Sequence, residues 1–253
     1  MAAGATVPGR RILITGAASG IGAWTARRMA APGVRMALHT RASQAGVDAV
    51  ARDCRQSGAE VETFLGDLGA EGAAERLAAE MLVALGGLDI MIANAGFSDR
   101  TPIGELATAA YDASHRAIAR AFFLMARTAL PALKESSAAR VIAVGSFVAH
   151  RFGAAGETFP ASAAAKAAME AMAKALAVEL ASSGGTVNVV LPGYIEKETM
   201  KVSAEARARR EAAIPLRRHG APAEVAALIA FLASADAAYI TGQCIGIDGG
   251  LSL

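Results

Sequence analysis

Thr15-Gly16-Ala17-Ala18-Ser19-Gly20-Ile21-Gly22 is a glycine-rich turn at the end of a short apolar run. Glycines there let the backbone close tightly and approach an anion. A helix running on from Ala23 would offer unpaired N–H groups and the positive end of its dipole to a phosphate. A second chemically interesting set is Lys166, Glu170 and Lys174, spaced one helical turn apart in an otherwise apolar stretch. Residues four apart stack on one helix face, and the plainest reading is a solvated charged stripe. Arg207, Arg209, Arg210, Arg217 and Arg218 form a third cluster. They could attract an anionic substrate, but Glu205 and Glu211 are interleaved with them, as on a solvated helix face. Cys54 and Cys244 are far apart, without metal-like spacing, and read as reduced, packed thiols.

The elements that must position these residues are legible as apolar runs alternating with alanine-rich helical segments. The runs are Arg11 to Thr15, Val34 to His39, Val61 to Leu65, Leu88 to Ala93, Arg140 to Val144, Thr186 to Leu191 and Cys244 to Asp248. Seven apolar strands separated by helices predict a parallel sheet covered on both faces. Right-handed crossovers then make it a doubly wound, Rossmann-type α/β fold. Placed after the first strand of such a unit, the glycine turn is a strong dinucleotide-binding signal. There is no repeat and no linker, so residues 1–253 are read as one cofactor-binding and catalytic domain, with 1–9 as a tail. The least regular stretch, Tyr194 to Gly220, would cover the carboxyl ends of the strands, where ligands bind in these sheets.

A chain of 253 residues with 54% apolar composition can bury a substantial core, and a net charge of +2 shows none of the basic bias of a nucleic-acid binder. No basic segment followed by an apolar core opens the chain, and no apolar stretch reaches the roughly 20 residues of a membrane span. Ala117 to Leu130 comes nearest and is broken by Arg120 and Arg127. The expectation is a cytoplasmic protein with no membrane, nucleic-acid or metal partner.

The spacing Gly16-x-x-x-Gly20-x-Gly22 resembles the short-chain dehydrogenase/reductase family, and the likeness runs through essentially the whole chain. Asp67-Leu68 is similar to the family's adenine-contacting acid, although a turn-capping aspartate reads equally well. Asn94-Ala95-Gly96 is similar to its Asn-Ala-Gly signature against the cofactor ribose. Pro192-Gly193, with Ile195, matches the segment after the sixth strand, and Asp248-Gly249-Gly250 closes the chain in the family's manner. The acid that NAD-dependent relatives place at the end of the second strand is replaced by Thr40, followed by Arg41. Loss of that carboxylate removes repulsion of a 2′-phosphate and a guanidinium can pair with it, which favours NADP(H) over NAD(H). Ser19, where NADP-using relatives often carry a base, points the other way.

The resemblance implies a serine that orients the carbonyl, a tyrosine that donates the proton, a lysine that binds the nicotinamide ribose and lowers the tyrosine pKa, and an asparagine that holds a relay water. Ser146 and Lys166 match. The tyrosine position, four before Lys166, is Ser162, and the asparagine position falls on Ile118, with no asparagine between Asn94 and Asn188. The loop Val148 to Pro160 is a few residues longer than the family's. A tyrosine starts near pKa 10 and can be tuned toward working pH, whereas an alkyl hydroxyl is a far weaker acid. Tyr194, His150 and Glu157, on loops at the strand ends, are the alternative proton sources, with Tyr194 foremost. Three functions fit: an NADP(H)-dependent oxidoreductase on a small carbonyl or alcohol with atypical proton delivery, a cofactor-binding pseudo-enzyme, or a lyase or dehydratase on the same scaffold. The helix Ala163 to Ala181, with Met169, Met172, Leu176 and Leu180, is more apolar than one sheet face can cover. Ala117 to Leu130 is its like, and the pair predicts a homo-oligomer, by resemblance a tetramer.

Overall fold

The computed structural model describes residues 9–196 and 202–253. Seven parallel strands form one sheet in the order β3-β2-β1-β4-β5-β6-β7. They are β1 Arg11–Thr15, β2 Arg35–Thr40, β3 Glu60–Leu65, β4 Ile90–Ala93, β5 Arg140–Val144, β6 Thr186–Pro192 and β7 Cys244–Ile247. The helices are α1 Gly20–Met29, α2 Gln44–Gln56, α3 Ala73–Leu85, α4 Thr108–His115, α5 Ala121–Glu135, α6 Pro160–Ala181, α7 Ala204–Ala213 and α8 Pro222–Leu232. Among the described residues no helix is long and apolar enough to cross a membrane.

Side-chain alternation explains the continuous apolar runs. Along β1, Ile12 and Ile14 face one core with α1, α2 and α8, while Leu13 faces the other with α3, α5 and α6. Strands β4 and β5 divide in the same way, Ile90, Ile92 and Ile142 to one side, Met91, Val141 and Ala143 to the other. A strand buried on both faces has no use for polar alternation. The two edges depart from the expectation of uniformly apolar, covered strands. β3 exposes Glu60, Glu62 and Leu65, and β7 is only half-buried, because an edge strand has one neighbour fewer.

Three other expectations are corrected. α1 begins at Gly20 rather than Ala23, so the last glycines of the turn belong to its first turn. Tyr194 to Gly220 is not merely irregular: it contains α7, capped by the Ser203 hydroxyl, which accepts from the Ala206 N–H. Residues 197–201 of that stretch, like 1–8 of the tail, lie outside the described residues. Finally, Met169, Leu176 and Leu180 are buried within the chain and Met172 packs against the same core, so they leave no patch to cover. The helix is apolar around most of its circumference because β5, β6, α4 and α5 enclose it.

Candidate active site

The strand order reverses between β1 and β4, and the loops leaving these neighbours part to opposite faces, opening a crevice at the carboxyl edge. Asn94 holds that crevice together. Its Nδ2 donates to the carbonyls of Thr15 (2.9 Å) and Gly16 (3.0 Å), while the Thr15 hydroxyl accepts from the N–H groups of Asn94 and Ala95, both at 3.0 Å. Asn94 therefore shapes the glycine turn, which its resemblance to a ribose-side signature did not imply. Thr15 was visible only as the residue before the first glycine.

The turn can be made only of small residues. Gly16 has φ +67, and a Cβ at Gly22 would lie 2.3 Å from the Gly16 carbonyl oxygen. A Cβ at Gly20 would meet nothing within 4 Å, so the space above the helix start is open. Ser19, at the N-cap, is exposed and its side chain makes no capping bond, leaving the first N–H groups of α1 to an outside acceptor. This cradle fits a dinucleotide pyrophosphate. Ile21 packs at the edge of the core behind it.

Farther along the same edge, Thr40 is buried at the end of β2 and Arg41 is exposed beside it, with no ion-pair partner among the described residues. Asp67 closes a turn by accepting from the Gly69 N–H at 2.8 Å, the capping reading, and Leu68 is buried. Gly193 is pressed against Asp248, where a Cβ would fall 2.7 Å from the Asp248 Cα, and Ile195 bridges to Gly220. Asp248 in turn accepts from the N–H groups of Gly250 and Ser252, both at 2.9 Å, which fixes the last turn beneath Pro192.

Ser146 stands just past β5 and caps a short 3-10 turn, its hydroxyl accepting from the Val148 N–H at 3.4 Å. Ser162 lies in the first turn of α6 rather than before it, buried, and accepts from the Asp99 N–H at 2.7 Å. One turn later Lys166 is buried too, its amine donating to the Val144 carbonyl, two residues before Ser146. A Cβ at Gly96 would lie 3.2 Å from that amine, so Gly96 is the residue that leaves room for it. Burial lowers the Lys166 pKa to about 8, partly offset by the nearby Glu170 charge. The alternative reading of a solvated stripe is not met: Lys166 and Glu170 point into the protein and Lys174 alone of the three is exposed.

Ile118 sits on a π-helical segment, Arg116–Arg120, that joins α4 to α5. π-Turns often mark functional positions. Here the side chain is buried and borders a small apolar void with Thr15, Leu68, Phe122, Met125 and Met169.

The alternative proton sources are each engaged elsewhere. The Tyr194 phenol donates to Glu157 Oε2 at 2.9 Å, with the Ala154 carbonyl at 3.1 Å, and burial followed by the Glu157 charge raises its pKa. Glu157 also accepts from buried Arg210 at 2.7 and 3.0 Å and pairs with Arg100 at 3.1 Å. Arg210 lies over the Tyr194 ring at 5.0 Å. This latch ties α7 to the loop between β5 and α6. Arg207 and Arg218 are likewise paired inside the chain, to Glu196 with Glu211 and to Glu224. His150 accepts or donates at 2.8 Å with Glu170 Oε2, an association no sequence spacing signalled.

A family model described as enoyl-(acyl carrier protein) reductase matches residues 16–252. The chain is 33% identical over 244 residues to the short-chain dehydrogenase/reductase eriH of Hericium erinaceus, covering 94% of this chain and 96% of that protein. It is 33% identical over 246 residues to the 3-oxoacyl-[acyl-carrier-protein] reductase FabG of Escherichia coli, covering 96% and 97%. The crystal structure of a short chain dehydrogenase from Burkholderia cenocepacia in complex with NADP superposes with a TM-score of 0.91 at 29% identity, over 98% of this chain and 99% of that one.

Proposed function

The chain belongs to the short-chain dehydrogenase/reductase family, and on that premise we propose that it transfers hydride between NADP(H) and a small carbonyl or alcohol, with proton delivery unlike the family's. The observation that carries this reading is the pairing of an open glycine cradle at Gly20 with the Lys166 amine lying against Gly96. One site accepts a pyrophosphate and the other a ribose, on the same edge of the sheet. Bound there, the nicotinamide supplies or takes up the hydride. The solved relative that holds NADP, together with exposed Arg41 beside Thr40, supports NADP(H) over NAD(H).

In this reading Ser146 orients the substrate oxygen, and Ser162 occupies the place of the family's tyrosine. Ser162 is held by the Asp99 N–H, which leaves its own proton free to point at a substrate, but as an alkyl hydroxyl it is a poor acid. Lys166, whose pKa burial lowers to about 8, is the tuned acid one helical turn from it. Ile118 fills with hydrocarbon the place of the relay asparagine. That last feature also favours the second reading, a cofactor-binding protein without hydride chemistry. We further read the protein as a cytoplasmic homotetramer.

Three variants test the proposal. Ser162→Tyr should raise NADPH-dependent carbonyl reduction, since general acid catalysis contributes about 10²–10⁴-fold, or roughly 3–5 kcal/mol of barrier. Part of that gain is expected, and adding Ile118→Asn should extend it; equal rates in parent and both variants would sink this account of the site. Thr40→Asp should weaken NADPH binding and strengthen NADH binding by placing a charge against the 2′-phosphate. Unchanged affinities, read by cofactor fluorescence, would remove the NADP argument.

A further inference from the structure

We propose that Glu170 and His150 form a proton path between Lys166 and solvent, doing in this chain what a water held by an asparagine would do from the Ile118 side. The proposal rests on the oxidoreductase reading above. It starts from a carboxylate that packing alone does not account for. Glu170 is 6% exposed on a helix whose other inward positions near it are Met169, Ala173 and Leu176. A buried carboxylate is costly unless fully paired, and a hydrocarbon of similar size would ordinarily serve the core better. Glu170 is only half paired. Its Oε2 meets His150 at 2.8 Å, with the Cys244 thiol at 3.8 Å. Its Oε1 is buried with no hydrogen-bond partner among the described residues, and lies 3.2 Å from where a Cβ on Gly145 would be.

That unpartnered oxygen lies on the Ser146 side of the helix, next to the residue following Val144, whose carbonyl receives the Lys166 amine. Lys166 and Glu170 are one turn apart and feel each other's charge without forming a direct ion pair. The proposed path places one water between them, which would also satisfy Oε1. At the other end the His150 side chain is 42% exposed, so it exchanges protons with bulk solvent directly. The line therefore runs from the ribose side of Gly96 to the surface without crossing the apolar pocket around Ile118. The charged and titratable groups facing Glu170 are Lys166 and Lys174 on its own helix, His150 on the loop after β5, and Cys244 on β7.

A reduced nicotinamide held against Gly96 and Lys166 would supply the hydride to the carbonyl carbon and would itself be oxidised. The carbonyl oxygen gains one proton through the Ser162 hydroxyl from the Lys166 ammonium, leaving a neutral amine. His150 takes a proton from water and passes it to the Glu170 carboxylate, which hands it on to that amine and is left a carboxylate again. Alcohol oxidation runs the same path outward.

The test uses the cofactor-free protein with ¹⁵Nζ-labelled lysine, reading exchange of the Lys166 ammonium hydrogens with solvent by NMR. Exchange should slow roughly tenfold or more in Glu170→Gln and in His150→Ala. Imidazole added to the buffer should restore it in His150→Ala alone, since His150→Ala keeps the Glu170 charge and loses only the exit. Unchanged exchange in either variant, or slowing that imidazole does not relieve, would overturn the proposal. With NADPH and a carbonyl, both variants should lose turnover while keeping their cofactor affinity. If the parent binds NADPH but reduces no carbonyl, the oxidoreductase reading falls while the exchange experiment still decides the path.

Discussion

Lys166 shows how burial sets chemistry at a single residue. Its amine is enclosed by the Val144 carbonyl and by the space that Gly96 leaves open, and desolvation brings its pKa from 10.5 to about 8. A lowered lysine pKa is a cost to the folded state while the group is charged. Between about 8 and 10.5 the unfolded chain binds the extra proton, so stability rises with pH across that window. Lys166→Met removes the charge, and should stabilise the protein at pH 7 by up to about 3 kcal/mol, a gain that fades by the pH where free lysine deprotonates. Urea midpoints at the two ends of the window measure it; an equal gain at both would show that packing, not charge, was responsible. The same reasoning makes Lys166 useful, because an amine near neutrality can give and take a proton where a serine cannot.

At the scale of elements, α7 is joined to the rest of the protein by chemistry rather than by hydrophobic area. Its one buried side chain is Arg210, whose guanidinium is held by Glu157 and stacked on Tyr194. Phe147, Phe159, Tyr194 and Ile214 form a small cluster beside this pair, roofing the carboxyl ends of the strands. Glu157→Gln should cost roughly 3 kcal/mol or more, because it leaves a buried guanidinium without its anion. The hydrogen bonds from Arg210 and Tyr194 outweigh burial and lower the Glu157 pKa. The parent therefore holds this contribution at neutral pH and loses it as the carboxylate is protonated on acidification, whereas the variant should show no such acid-dependent loss. Thermal unfolding across an acid series compares them, and parallel curves would show that the latch contributes nothing. The helix could be suspected from Glu205 and Glu211 among the arginines; that Arg210 turns inward could not, since its partner is on a loop 53 residues away.

For the whole molecule, the sheet buries its middle strands and leaves both edges open. The apolar side chains that stay exposed are not those expected from helix composition. They include Phe123 and Val178 on α5 and α6, Phe231 on α8, and Tyr239 and Leu253 near the half-buried edge strand β7. Single exposed apolar residues are ordinary, and it is the half-buried edge strand β7 that favours self-association. The proposed tetramer should have about four times the 25.6 kDa chain mass by light scattering at micromolar concentration. A monomer there would remove it.

The succession of apolar runs and the glycine turn was enough to specify the doubly wound sheet and its phosphate cradle, because both follow from local rules. A strand buried on two faces must be apolar throughout, and Gly22 tolerates no side chain because a Cβ there would lie 2.3 Å from the Gly16 carbonyl oxygen. Ser146, Ser162 and Lys166 were singled out by the family resemblance, not by local rules; the structure adds that the Lys166 amine lies against Gly96 and donates to the Val144 carbonyl. Other features depended on which distant segments fold against one another. Asn94 became a clamp on β1, and Glu170 became a buried partner of His150 rather than part of a wet stripe. Tyr194 spends its proton on Glu157. Each of these joins residues far apart in the chain, where no periodicity operates. Burial, which determines the charge each group carries, exists only once the sheet and helices have closed around it.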